Sequence, residues 1–394
     1  MKRDMQPIIS DGSHLVAAYS GDSSGPTLIV VGSIHGNEPA GLKAQLGSTD
    51  QLSALEGRMR GRVYLIAGNT RALNRGVRFI DRDLNRSWTP DDLAAMGKDQ
   101  IPDSSETLEL RELDTLLDSI LITARSEVFV LDLHSTSAHG IPFATVGDTL
   151  RNRRFAQKFP VPIVLGIEEQ LEGTMLEYLN NTGAVTIGFE GGSHLAEETV
   201  ENHISMIWLA LINSGILDDK DVPEAASHRD RLGKGNPQPS YIEVRVRKTT
   251  TDHPEFKMLE GFTNFDPVIK GQVLAESRNG SIRASESGMI LMPLYQTLGE
   301  DGYFIGRKVA GFWLKLSEVL RRLKVQDMMP WLPGVKRDPD NYETLLVNTR
   351  MARFFPLQIL HLLGFRKRRW QGSDLVVSRR RHDTVSPFVK KADR

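Results

Sequence analysis

Five compact apolar runs dominate the first half of the chain: "TLIVVGSI", "GRVYLIAG", "EVFVLDLHS", "VPIVLGI" and "GAVTIGFE", most of them bounded by Gly, Pro or polar turns. Segments with helical spacing lie between them. "SETLELRELDTLLDSILITA" (Ser105 to Ala124) carries a serine able to cap it, and "AEETVENHISMIWLALINSG" is amphipathic and ends at Gly215. Runs that are apolar throughout, rather than alternating, suit strands covered on both faces by helices. The first part of the chain is therefore expected to be α/β.

The pattern changes at "SHRDRLGKGNPQPS" (Ser227 to Ser240), which reads as a polar linker. From "YIEVRVRKTT" to "GYFIGRK" the runs are short and turn-rich, with "SRNGSIRA" as a hairpin, so this part is expected to be all-β. Beyond Lys308, "YETLLVNTRMARFFPLQILHLLGF" is a helical candidate interrupted at Pro356. From Arg366 onward Lys and Arg greatly outnumber acids, which reads as a solvated tail or a subunit contact, the alternative being an anionic partner or membrane surface. The expected division is 1–238, 239–307 and 308–394, the last being a basic, partly helical extension. At 394 residues, two or three domains are the expectation.

Composition excludes several chemistries. There is no cysteine, so disulfides, thiolate nucleophiles and Cys-ligated zinc are ruled out, and any metal site must use His, Asp and Glu. A formal net charge of -1 gives no general reason to expect nucleic acid as a partner. No signal-peptide run follows Met1, and no stretch approaches the roughly 18 apolar residues of a membrane span. A cytoplasmic protein is expected, with room for a homo-oligomer.

The first apolar run leads into "HGNEPAG", with His35 and Glu38 three residues apart. A second run, "VFVLDLHSTS", ends at His134, with Asp132 and Thr136 on the same side of the strand. In α/β sheets ligands gather outside the carboxyl ends of strands. Two imidazoles and a carboxylate meeting there would be the His₂Glu set of catalytic zinc sites, with one position left for water. Taken alone, a histidine at a strand end is more often a hydrogen-bonded structural residue. "VRFIDRDLNRSW" (Val77 to Trp88) adds Arg78, Asp81, Arg82, Asp83, Asn85 and Arg86. It is either a solvated charged loop or a source of donors: an Arg for an oxyanion, an Arg with an Asn for a substrate carboxylate, and an Asp for the second nitrogen of a metal-bound His. "GAVTIGFEGGSH" ends a strand at Glu190, beside glycines that leave room, which suits a general base.

"GSIHGNEPAG", "RFIDRDLNR", "DLHSTS" and "GFEGG", in that order, resemble the succinylglutamate desuccinylase/aspartoacylase family of zinc carboxypeptidase-like hydrolases. "FTNFDPVIKGQVLAE" and "GMILMPLYQTLGEDGYFIG" look like that family's C-terminal β domain. The resemblance implies a mixed twisted sheet between helices and one zinc ion held by His35, Glu38 and His134. It also implies Arg78 as carbonyl polariser, Asn85 and Arg86 as the carboxylate grip, Asp83 behind a zinc-bound His, and Glu190 as base. The implied activity is removal of an acyl group from a small N-acyl amino acid. One feature departs from aspartoacylases, which place an Arg shortly before the base: here no Lys or Arg occurs between Lys158 and Lys220, Asn180 stands near that place, and Glu168, Glu169, Glu172 and Glu177 share the stretch. A neutral or apolar acyl group, or a different amine half, is expected instead.

Three other readings compete with this one. "GDSSG" (Gly21 to Gly25) fits a serine-hydrolase string, but a strand follows it directly, so it reads as a hairpin turn and not as a nucleophile elbow. A metallocarboxypeptidase would use the same groups with an open cleft. A non-catalytic metal-binding or scaffold protein would have no need of the full set.

Overall fold

The computed structural model describes residues 9–98, 103–194, 196–234, 240–348, 357–371 and 374–389. The first eight strands are β1 (Leu15–Ser20), β2 (Thr27–Gly32), β3 (Arg62–Ala67), β4 (Val128–Thr136), β5 (Phe143–Val146), β6 (Ile163–Leu165), β7 (Val185–Ser193) and β8 (Tyr241–Thr249). Next come β9 (Lys257–Met258), β10 (Pro267–Val268), β11 (Val273–Ser277), β12 (Gly280–Arg283), β13 (Gly288–Leu291) and β14 (Asp301–Lys308). The large mixed sheet has the order β1-β3-β2-β4-β7-β5-β6-β8-β14-β13-β10, and β12-β11-β9 make a small antiparallel sheet. The fold is thus α/β, with a twisted mixed sheet flanked by helices.

The helices are α1 (Ala40–Leu55), α2 (Thr70–Arg75), α3 (Pro90–Met96), α4 (Ser105–Thr123), α5 (Leu150–Ala156), α6 (Met175–Thr182), α7 (Glu197–Asn213) and α8 (Ala225–Gly233). Period-two alternation divides each central strand between two cores. Leu28 and Val30 of β2 join residues of α1 and α7 on one face, whereas Ile29 and Val31 join residues of α4 and α6 on the other. Every β2 residue is buried, which is why the run is apolar throughout. Each such Val, Leu or Ile contributes about 1.5–3 kcal/mol on burial. Ser104 caps α4 by accepting from the Thr107 amide (3.2 Å), and α7 stops before Gly215, which takes φ +83°.

Strands β2, β4 and β7 run parallel, so their carboxyl ends lie side by side, with His134 directly opposite Glu190. Strand β5 then reverses direction against β7, and β6 and β8 continue the sheet in parallel. Through the β8–β14 pairing the later strands are hydrogen-bonded into the same sheet as the first.

Several expectations are corrected. "GDSSG" is not a hairpin turn: β1 pairs antiparallel with β3, and β3 stands between β1 and β2. The stretch read as a linker begins as helix α8, and its residues 235–239 lie outside those described. The helical candidate after Tyr342 opens as a strand, β16 (Thr344–Asn348), paired with β15 (Val335–Arg337) and β18 (Asp374–Ser378). β17 (Lys367–Gln371) completes that four-stranded sheet. Two helices belong to the same region, α9 (Gly311–Arg322) and α10 (Leu357–Leu362), while residues 349–356 fall outside the described set.

The basic tail is not simply solvated. Arg366 pairs with Asp148 and Glu243, and Arg380, 8% exposed, lies beside Glu168 and Glu169. No helix among the described residues is long and apolar enough to cross a membrane.

Candidate metal centre and active site

The turn after β2 is built to aim two side chains back over the sheet. Ser33 sits at φ +61° and its hydroxyl donates to the Glu38 carbonyl (2.9 Å), pinning the loop just before α1. Gly36 is required there, since a Cβ would lie 2.2 Å from the Ala72 carbonyl carbon. These constraints bring His35 and Glu38 to within reach of His134, and one ligand atom from each of the three lies within 4.8 Å of the others.

The hydrogen bonds around these residues give the two rings a common orientation. His35 Nδ1 is 3.0 Å from Glu38 Oε1, and His134 Nδ1 is 3.4 Å from Glu38 Oε2. Each outward nitrogen faces an acid: His134 Nε2 is 2.8 Å from Asp132 Oδ2, and His35 Nε2 is 3.2 Å from Asp83 Oδ1. Acids behind both rings favour Nε2–H tautomers, which leave both Nδ1 lone pairs directed at the centre. Arg78 lies against the same group, with Nη2 2.9 Å from His35 Nε2 and 3.1 Å from Asp83 Oδ2. The His35 Nε2 atom thus has two rival partners, the accepting Asp83 carboxylate and the donating Arg78 guanidinium.

Charge is concentrated and dry. Burial alone would raise Glu38, but His35 and His134 hold it well below the usual carboxylate range. Burial pushes Glu190 up to about 8, against the pull of His134 and with Glu38 and Asp132 adding to the rise. Glu190 Oε2 is buried with no hydrogen-bond partner among the described residues. Two converging imidazole nitrogens, a carboxylate between them and this orphaned oxygen together fit a divalent cation. A second group, His14, Glu109 and Glu112, also comes together. It already holds a cation: Arg71 donates to Glu109 (2.9 Å) and twice to Glu112 (2.7 and 2.9 Å).

The loop carrying Arg78 to Arg86 is anchored by a residue given no role above. Glu106, fully buried on α4, accepts from the amides of Ile80 (2.7 Å), Asp81 (2.8 Å) and Arg82 (3.3 Å). Asp83 then caps the single 3-10 turn Leu84–Arg86 through the Asn85 amide (2.9 Å). Asn85 accepts from the Met175 amide (3.0 Å), so its carbonyl oxygen is committed and its NH₂ is what it can offer a ligand. Arg86 is fixed by the Asn85 carbonyl (2.9 Å) and by Asp301 of β14 (3.1 Å).

A cavity of about 100 Å³ runs between these groups, lined by His35, Glu38, Arg78, Asn85, Arg86, His134 and Glu190. Its further walls include Glu168, Thr174, His194, Gln296 and Asp301. Among the expected residues, Asn180 does not line it. Asn180 is buried against Ala184 O (2.8 Å) and Asn152 Oδ1 (3.3 Å) instead. Glu168 does line it, and burial lifts its carboxyl to about 7 although Arg380 stands 3.8 Å away. The glycine after Glu190 makes its room for a ring rather than a ligand: a Cβ on Gly191 would lie 2.4 Å from His203 Nε2, which itself bonds the His134 carbonyl (2.9 Å).

Residues 24–210 match the succinylglutamate desuccinylase/aspartoacylase catalytic domain. Over that segment, a little under half of its length, the chain is similar to the succinylglutamate desuccinylase/aspartoacylase family. An N-acyl-aromatic-L-amino acid amidohydrolase (carboxylate-forming) of Xenopus tropicalis is 36% identical over 112 residues, which are 28% of this chain and 34% of that one. A succinylglutamate desuccinylase of Pseudomonas paraeruginosa is 25% identical over 127 residues, 32% of this chain and 36% of the relative. The chain thus spans about a third of the length of these two curated relatives. Solved structures share the fold of this chain. That of a succinylglutamate desuccinylase/aspartoacylase from Rhodobacter sphaeroides aligns with a TM-score of 0.56 at 19% identity, over 75% of this chain and 88% of its own. The product-bound ectoine utilization protein EutE (DoeB) from Ruegeria pomeroyi gives 0.53 at 20% identity, over 74% and 87%.

Proposed function

We propose that this protein is a zinc-dependent amidohydrolase that removes an acyl group from a small N-acyl amino acid or a related carboxylate-bearing amide. The observation that carries this reading is the convergence of His35 Nδ1 and His134 Nδ1 on Glu38, with an acid behind each ring. Zinc held by His35, Glu38 and His134 supplies a Lewis acid and a water acidic enough to react near neutrality.

The remaining work belongs to side chains of this chain. Glu190, whose burial raises its affinity for a proton, takes the proton of the attacking water and returns it to the leaving amine. Arg78, held by Asp83 (3.1 Å) and near Glu38 (3.5 Å), stabilises the oxyanion formed at the former carbonyl. The Asn85 NH₂ and Arg86 hold the substrate carboxylate, with Asp301 keeping the Arg86 guanidinium in place.

Two features narrow the substrate. Among the described residues Arg78 and Arg86 are the only Arg or Lys side chains on the cavity wall, and both already have roles here, so no cation is left for a second carboxylate and a neutral acyl group is favoured over a succinyl group. In this respect the N-acyl-aromatic-amino acid hydrolase is the closer guide than the desuccinylases. Met292, Leu294, Gln296 and Asp301 close one side of the cavity, which disfavours long peptides and the carboxypeptidase reading.

The test is amine release from a panel of N-acyl amino acids and tetrapeptides by the zinc-loaded protein, with Glu190→Ala as blank. Release from neutral N-acyl amino acids, lost with a chelator and restored by zinc, is expected. Release from peptides alone would assign a carboxypeptidase. Zinc binding with silence across the whole panel would favour a non-catalytic role.

A further inference from the structure

Helix α9 exposes an apolar side: its fully buried positions are polar, Ser317 and Arg321, while Leu314 and Leu320 pack partly buried against the neighbouring cores. Arg321, 1% exposed, donates to the Leu362 carbonyl (3.1 Å) and the Asp148 carbonyl (3.0 Å), and pairs with Asp148 (3.0 Å) and Asp383 (3.3 Å). On the opposite side Phe312, Leu316, Val319 and Leu323 recur at i, i+4, i+7 and i+11, forming one apolar stripe. Phe312, Val319 and Leu323 are 67, 52 and 70% exposed. Trp313 at the start of the helix, and Met328 and Trp331 just beyond it, are exposed as well.

The charges along the stripe are lopsided. Lys308, Lys315, Arg322 and Lys324 are exposed, and the one acid between residues 308 and 324, Glu318, is engaged by Arg322 and Arg154. Apolar clusters of this kind are uncommon on a free surface and mark an interaction site. Aromatic and aliphatic side chains flanked by long cationic ones are the chemistry of the boundary between acyl chains and phosphate headgroups.

We propose that this face rests on an anionic lipid surface, with Phe312, Val319 and Leu323 among the acyl chains and the flanking cations on the headgroups. A second copy suits the face less well, because a two-fold contact sets the same rim of lysines against itself. This inference stands apart from the hydrolase reading, since none of these residues lines the cavity.

The experiment is co-sedimentation of the full chain with vesicles of equal phosphatidylglycerol and phosphatidylcholine, and with phosphatidylcholine alone, at low and high salt. Binding to the anionic vesicles and weakening by salt are expected. Val319→Glu with Leu323→Glu should lower binding roughly tenfold or more, and Lys315→Glu with Lys324→Glu should do so while the apolar stripe stays intact. Both variants should keep the wild-type circular dichroism and hydrolase rate. Failure of the wild type to bind anionic vesicles at low salt overturns the proposal, as does equal binding by the stripe variant. A wild-type dimer in sedimentation velocity that the stripe variant dissolves, without vesicle binding, gives the face to a second copy instead.

Discussion

At the scale of single residues, the proposed chemistry gives the holding of a cation and the moving of a proton to two different carboxylates. Glu38 is held ionised between two imidazoles, whereas Glu190 keeps an unpartnered oxygen and an upward-shifted carboxyl. Glu190→Gln should therefore lower turnover by about 10²–10⁴ while metal content per chain, read by atomic absorption, stays at the wild-type level. Loss of the metal in that variant would show that ligand and base had been exchanged. Glu168 makes a separate prediction. Its carboxyl titrates near 7 in the fold, against 4.5 ordinarily, chiefly through burial. The folded chain therefore keeps a proton that the unfolded chain releases, and the stability tied to that proton, complete below about 4.5, is lost as pH rises towards 7. Glu168→Gln removes the titration, so the variant should gain on the wild type in thermal midpoint at pH 8 relative to pH 5. An equal gap at both pH values would refute it. The residues legible in the sequence, His35, Glu38, His134 and Glu190, all sit where an apolar run visibly ends. Glu168 and Asp301 were not legible as parts of one cavity wall, nor Arg380 as the neighbour of Glu168, because they come from distant segments.

At the scale of elements, the strand ends set the site and the acids behind them tune it. Asp132 lies two residues before His134 on the same face of β4, so the strand's own pleat delivers the acceptor for Nε2. Asp132→Ala should weaken zinc binding by about 10- to 100-fold, measurable by competition with a chromophoric chelator. An unchanged affinity would mean that the ring is oriented by something else. A second acid ties elements rather than ligands. Asp148, after β5, is buried against Arg153 (2.6 Å), Arg321 (3.0 Å) and Arg366, joining α5, α9 and the tail. Asp148→Asn leaves those cations without their counter-charge and should cost about 3–5 kcal/mol, seen as a lower thermal midpoint with the apolar cores intact. Local pattern did not reveal this link, since an arginine-rich tail reads alike whether it is solvated or tucked in. Strand β16 was misread for a related reason: a run as short as "TLLV" does not distinguish strand from helix by periodicity.

At the scale of the whole molecule, the α/β class and the two-sided burial of the sheet were legible from the apolar runs, whereas the continuity of the sheet into its later strands was not. Register and strand order across β6, β8 and β14 are long-range facts with no local signature. A cation that binds only the folded chain raises its stability by mass action, so chelation should lower the thermal midpoint, and zinc should restore it in a concentration-dependent way. The sheet order also bears on how the protein is made. When the ribosome has delivered the chain as far as α7, the proposed zinc ligands, Glu190 and the Arg78–Arg86 loop have all been synthesised. At that moment β6 is still an open edge, awaiting β8, and the wall that carries Asp301 does not yet exist. A nascent or truncated product of this kind would capture metal without a finished pocket and would present a bare strand to its neighbours. Completion of the pocket and protection from edge-to-edge aggregation thus arrive together, late in synthesis.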